Sequence, residues 1–423
     1  MVKNGINDDQ QFRMTSDLER LRTPAQAYGG PLTAEQIEYL LRTVPGARRA
    51  AQGVFVELPK GFFHITHIRP SQELIKSVED LDYYQICTPK ETARLREIKT
   101  AHDYLLMIRA NAIVENPRLL RVMAARRQKW EATGRRWSLS DYYASLNRAP
   151  KRYVARLARA QQRTIRAIPY GFSAVREANA ICMRSLVGDV ITASEMLREF
   201  FYFVVLCLTG ANRDIDIPDC STAGLIALRI MIGSEAQDFD LDPRCSPHPR
   251  LEAEIRGQVD AMLEFTFGHE FAHYLLGHLN GGISGENCIE KHPRDDEFAA
   301  DRGAVLNVSE PKARRSMAEA AYMVFFALHL IDEVASVHSE VPRFSGSSSH
   351  PQPLDRIWSL HDVLGRADAP RRGALLKVLE VVARVKEMLL THIGAVRPDI
   401  LTFYGSLYLE GLGGRLREDR IEF

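Results

Sequence analysis

No stretch of this 423-residue chain is apolar for long enough to cross a bilayer. The longest apolar runs, Phe200 to Leu208 and Ala320 to Ile331, fall far short of the roughly 20 residues a spanning helix needs. Both are expected as core helices, and no membrane span is expected. Met1-Val2-Lys3-Asn4 leads into a polar stretch rather than an apolar segment, so no secretory signal is expected either. Cysteine is sparse: the six residues at 87, 182, 207, 220, 245 and 288 contain no Cys-x-x-Cys spacing. That argues against a disulfide framework and a cysteine zinc cluster, and it suits a reducing cytoplasm. Internal repeats are absent, and the one low-complexity tract is Ser345-Gly346-Ser347-Ser348-Ser349. Gly411-Leu412-Gly413-Gly414 lacks the strand-turn-helix setting of a phosphate-binding loop.

What is present describes a folded protein. A chain that is 45% hydrophobic and 26% charged can bury one large or two medium cores and is not a disordered regulator. Residues 1–30 are expected as a polar arm. A region 31–170 follows with a β-hairpin and basic helices, then a region 171–365 that holds the chemistry, and a C-terminal helical region 366–423. Thr33 opens a helix with Gln36 at the capping-box position. Val54 to Leu58 and Phe62 to Ile68 flank Pro59-Lys60-Gly61 as a hairpin. From about residue 90 the pattern is mostly helical. Ser221-Thr222 precede a helix reaching Ile232, another is expected over 251–279, Ser309 with Pro311 opens one reaching about Val337, and the last spans about 375–392.

Charge is unevenly placed. Between Arg118 and Arg166 stand 14 Lys/Arg against two acidic residues, about +12 in a chain whose net charge is +1. Arg152, Arg156, Arg159, Arg163 and Arg166 alternate four and three apart, which would line one helical face with guanidinium groups. Such a stripe suits an acidic protein or nucleic-acid partner, with Trp130, Trp137, Tyr142, Tyr143 and Tyr153 as nearby stacking surfaces. It equally suits a solvated face, or pairing with the acidic half of the chain.

The strongest signal is His269-Glu270-Phe271-Ala272-His273, followed by Glu297-Phe298-Ala299-Ala300-Asp301. Residues four apart on a helix share a face, so the imidazoles of His269 and His273 can converge on one cation. Glu270 lies one step round, where it can reach a water without occupying the metal. A catalytic zinc takes a third protein ligand, which Glu297 can supply, and Asp301, one turn on, can fix a ligand imidazole's tautomer. The apolar surroundings, Leu263, Phe267, Phe271, Tyr274 and Leu275, make two histidines and a glutamate costly unless something satisfies them. The longer motif with a third histidine does not fit, because Gly277 and His278 stand in the wrong register. His278 is expected to close the helix near its C-terminal carbonyls, with Asn280-Gly281-Gly282 as the stop.

His-Glu-x-x-His with a downstream Glu-x-x-Ala-Asp resembles the gluzincin metallopeptidases of the HtpX-related and CAAX-prenyl-protease family, over roughly residues 250 to 365. His350-Pro351 with Arg356 matches a His-Pro-x4-Arg segment of many of those enzymes, whose histidine lies near the metal and covers it or helps the oxyanion. The alternative for His350 is a loop histidine capping the helix that begins near Pro353. Membrane-bound members of that family carry spanning helices, none of which is expected here, and the Lit-type phage-exclusion peptidases offer a looser, cytosolic comparison.

The pattern predicts an α+β, mainly helical protein with a small β element and helical N- and C-terminal regions, and the resemblance implies a zincin-like core. It implies a metallopeptidase acting on a protein or peptide substrate: His269, His273 and Glu297 hold Zn2+, and Glu270 is the general base. His350 or Arg356 would aid the oxyanion. Two other functions fit the same residues. One is a regulatory protease of a bacterial stress or anti-phage system, silent until a partner engages it; the other is a nucleic-acid-binding protein with a structural zinc.

Overall fold

A computed structural model describes residues 30–44, 46–58, 61–65, 67–68, 84–279, 294–341 and 351–414. The chain divides into two compact units, residues 1–92 and 93–423. In the first, α1 (Ala34–Thr43) starts on the expected capping box: the Thr33 hydroxyl accepts from the Gln36 amide and the Gln36 side chain accepts from the Thr33 amide. Strands β2 (Ala47–Arg49), β3 (Val54–Leu58) and β4 (Gly61–Ile65) form an antiparallel meander with Val54 opposite Ile65, which includes the expected hairpin; its turn residues Pro59 and Lys60 lie outside the described residues. A two-residue pairing joins β1 (Gly30–Pro31) to β5 (His67–Ile68). Leu40, Val44, Val54 and Val56 are the core of this unit.

The second unit follows α2 (Pro89–Arg96), a helix that begins at the end of the first. It holds α3 (Ala101–Val114), α4 (Pro117–Glu131), α5 (Leu139–Leu146), α6 (Arg148–Ala155) and α7 (Arg159–Arg166). A three-stranded sheet comes next, β6 (Tyr170–Ser173), β7 (Ala180–Ser185) and β8 (Gly188–Ser194), in the order β6-β8-β7. The remainder is helical: α8 (Glu195–Thr209), α9 (Ile217–Ile232), α10 (Pro249–Leu275), α11 (Arg294–Leu306), α12 (Pro311–Ala335), α13 (Pro353–Asp368) and α14 (Arg372–Ala395). At 63% helix against 8% strand, the protein is mainly helical with small sheets, as expected. No described helix is long and apolar enough to cross a membrane.

The organising element is α10. His248 is its N-cap, and Pro249, with no amide hydrogen to lose, is the first helical residue. Its first turns are solvent-facing and carry the i,i+4 pairs Arg250–Glu254 and Glu252–Arg256. From Val259 onward it is buried nearly all round, through Leu263, Phe265, Phe267 and Phe271, as a helix enclosed by others must be. Helices α6, α8, α11 and α12 and strand β7 pack against it. Gly268 permits the closest of these contacts, since a Cβ there would come within 2.5 Å of the Tyr153 ring. The Tyr153 hydroxyl continues past α10 and donates to the Ala304 carbonyl of α11 at 2.9 Å.

Several sequence expectations need correction. The sheet at 170–194 falls where mostly helix is expected, because β6 and β7 are short and β8 is buried on both faces from Val190 to Ser194; none of them shows the alternation that marks a half-exposed strand. Helix α9 starts at Ile217 with Pro218 in its first turn, so Ser221 and Thr222 lie inside it; the Ser221 hydroxyl donates to the Ile217 carbonyl. The N-cap of α12 is Glu310 and not Ser309. The arginine stripe is not one helical face: α6 ends at Ala155 and α7 begins at Arg159. The described cysteines, Cys87, Cys182, Cys207, Cys220 and Cys245, are all free thiols; Cys288 lies outside the described residues.

Candidate metal centre

His269 and His273 stand one turn apart on α10 with ring centroids 4.6 Å apart, and their Nε2 atoms face each other at 3.0 Å. Glu297, in the first turn of α11, brings Oε2 to 3.4 Å from His269 Nε2 and Oε1 to 3.4 Å from His273 Nε2. Donors held at about 2.0–2.1 Å on a tetrahedral ion lie about 3.3 Å from one another, so the two imidazole nitrogens and the Glu297 carboxylate are spaced as ligands around one centre. All three residues are buried, Glu297 and His273 to 1% exposure, and together they can hold a metal ion.

Electrostatics support the fit. Burial pushes the pKa of His269 down, but hydrogen bonds and charges from Asp301 and Glu297 outweigh it and carry the value up to about 10. Without a metal His269 therefore holds a second ring proton, which a cation bound there would displace. Asp301 meets His269 Nδ1 at 2.9 Å, so with the imidazole proton on Nδ1 the Nε2 lone pair is left for the cluster. The Asp301 carboxylate is itself held by Arg356, whose Nε donates to Oδ2 at 2.8 Å and whose Nη2 donates to Oδ1 at 2.6 Å. Burial raises the Asp301 pKa, yet the Arg356 charge and these hydrogen bonds bring it below the ordinary carboxylate value. Arg356 also lies over the Phe325 ring at 4.7 Å, and Phe325 packs edge-on against Phe265 of α10.

Glu270 is 8% exposed and shares a cavity of about 90 Å3 with His269, Glu297 and Arg356. Ala178 and Ala180 of the β7 side, and Leu197, Phe201, Phe265, Val324 and Leu328, make the rest of that cavity mostly apolar. The Glu270 charge also reaches β7, where the Cys182 thiol is raised by burial first and by Glu270 second. The structure thus brings Glu270 beside His269, Glu297 and Arg356, and places Asp301 behind His269. His350 lies outside the described residues; Pro351, next to it, lines the same cavity.

His278 closes the helix as expected, but the stop comes earlier. Helix α10 ends at Leu275, and Gly277 rather than Asn280-Gly281-Gly282 is the stop, in the left-handed region at φ 75°. The amides of Gly277 and His278 bond to the carbonyls of Tyr274 and His273 at 3.2 and 3.0 Å, the paired closure of a Schellman motif. This turns the His278 side chain onto His273, Nδ1 to Nδ1 at 2.9 Å. Its Nε2 lies 3.6 Å from Asp296 Oδ1. Burial lowers the His278 pKa, against the opposing charge of Asp296.

The arginines of the stripe divide. Arg156 and Arg152 pair with Glu264 of α10, Arg156 at 2.8 Å, and Arg152 also reaches Asp260 at 3.1 Å. Arg159, Arg163 and Arg166 are exposed on α7, where Arg166 donates to Gln162. Trp137, Tyr143 and Tyr153 are buried, so they offer no stacking face; Trp130 is half-buried, with Arg135 over its ring at 4.3 Å.

Compared with family models, with curated proteins and with solved structures, the chain matches none of them.

Proposed function

We propose that this protein is a zinc-dependent metallopeptidase of zincin-like architecture, with Glu270 as its general base. The observation that carries the reading is the convergence of His269, His273 and Glu297 at ligand spacing, with Glu270 on the cavity beside them. Three nitrogen and oxygen donors are the set of a catalytic zinc, whereas structural sites use four; the cluster has three among the described residues. Zinc held there supplies Lewis acidity to the scissile carbonyl and to the attacking water.

Glu270 takes the proton of that water and passes it to the leaving amine. Its place one residue after His269 keeps it on α10 but out of the ligand set. Strand β7 is an edge strand of its sheet, so its outer backbone groups can pair with an extended peptide. The apolar cavity takes a side chain flanking the scissile bond. Its apolar walls, among them Leu197, Val324 and Leu328, favour an aliphatic side chain there.

The test is a peptide mixture incubated with zinc-loaded wild type and Glu270→Gln. Wild type is expected to cut beside valine, leucine or isoleucine, and Glu270→Gln to lose at least about a hundredfold in rate with its zinc retained. Turnover by Glu270→Gln at the wild-type rate removes Glu270 from the mechanism. Cleavage confined to charged or aromatic flanks refutes the assignment of the cavity.

A further inference from the structure

We propose that His278 is the positioning residue of the second histidine ligand: its Nδ1 accepts the Nδ1 proton of His273 and so turns the Nε2 lone pair of His273 toward Glu297. The proposal rests on the reading of His269, His273 and Glu297 as a metal site. A neutral imidazole carries one ring proton. If that of His273 sat on Nε2, it would point at His269 Nε2, 3.0 Å away, and close the site to a cation. An acceptor at Nδ1 selects the other tautomer. The atom in that place is His278 Nδ1 at 2.9 Å, and it can accept when His278 carries its own proton on Nε2, the atom that faces Asp296 Oδ1 at 3.6 Å.

The backbone explains why this residue is in reach. In a Schellman motif the residue after the left-handed glycine closes back on the residue three before the cap. Here these are His278 and His273, joined through the backbone by the His278 amide on the His273 carbonyl at 3.0 Å. Helix termination and ligand orientation are one structure. The two ligands are served differently: His269 by the carboxylate of Asp301, charge-balanced by Arg356, and His273 by an imidazole. Helix α11 supports both, with Asp301 directly and with Asp296 through His278.

The experiment measures zinc affinity by competition with a chromophoric chelator, the absorption spectrum of the cobalt-loaded protein, and melting of the metal-free protein. Wild type is compared with His278→Phe, which keeps a ring without an acceptor, and His278→Asn, whose side-chain oxygen can accept. His278→Phe is expected to bind zinc about 10- to 100-fold more weakly and to alter the cobalt spectrum, with metal-free melting unchanged; His278→Asn is expected to recover most of the affinity. Wild-type affinity in His278→Phe overturns the proposal while the metal site stands. So does equal loss in both variants accompanied by loss of metal-free stability, which is the mark of a purely structural role. A wild type that takes up neither zinc nor cobalt overturns the metal site itself.

Discussion

Arg356 shows how a residue chosen for one role serves another. Its place six residues after His350 suggests help at the oxyanion, but two of its nitrogens are committed to Asp301. Both partners are buried, and removing one member of a buried pair costs about 3–5 kcal/mol, because the other charge is left without compensation. Arg356→Met is therefore expected to lower the melting temperature and to weaken zinc binding about 10- to 100-fold through the loosened Asp301. Arg356→Lys is expected to rescue little, since an ammonium cannot reproduce the planar two-bond grip. If Arg356→Met keeps both stability and zinc yet loses turnover, the arginine acts at the reacting carbonyl instead. The partnership itself is not legible in sequence: Arg356 and Asp301 are 55 residues apart, and no local spacing joins them. The ligands are legible because His269 and His273 obey helical periodicity, and Glu297 and Asp301 lie one turn apart on α11. For His278 the signal is Gly277, whose left-handed conformation implies that the next side chain folds back onto the helix.

Among the elements, the starts of helices decide where the packing faces lie. Helix α3 opens with Thr100, whose hydroxyl accepts from the Asp103 amide, and Asp103 returns the bond by accepting from the Thr100 and Lys99 amides. The same carboxylate takes Arg94 Nε at 2.6 Å. Burial raises the Asp103 pKa, but these partners bring it below its ordinary 3.8. The sign follows: stability from Asp103 is present above pH 3.8 and is lost as pH falls through the lower folded value. Asp103→Ala is expected to cost about 1 kcal/mol at neutral pH, and the gap from wild type in urea melts is expected to close as pH drops below 3.8. A gap that persists unchanged in acid means that packing, not the carboxylate, is what was lost. Capping boxes of this kind are visible in sequence, as that of Thr33 and Gln36 is. The sheet β6-β8-β7 is not, because a strand buried on both faces lacks alternation, and the pairing of β6 with β8 spans an intervening strand.

At the scale of the molecule, the C-terminal segment is tied into the second unit by a buried ionic cluster. Arg229 and Arg244 flank Glu235 at 2.8 and 3.0 Å with no exposure on any of the three side chains. Arg229 also donates to the carbonyls of Ile400 and Phe403, and the Gly405 carbonyl accepts from the Ala236 amide. Desolvation raises the Glu235 pKa, and the two arginines oppose it. Arg229→Met is expected to destabilise the fold by about 3–5 kcal/mol and to expose the segment around residue 400 to protease. Resistance equal to wild type contradicts that tie. Sequence shows only the composition of such a cluster, since its members are held together by the burial of the whole unit.

The central claim is that His269, His273 and Glu297 hold one catalytic zinc. Metal content of the purified protein, measured by mass spectrometry in wild type, Glu297→Ala and Glu270→Gln after exposure to zinc, tests it most directly. One zinc per chain in wild type and Glu270→Gln, and its loss in Glu297→Ala, is the expected result. Zinc absent from the wild type, or kept in full by Glu297→Ala, contradicts the claim.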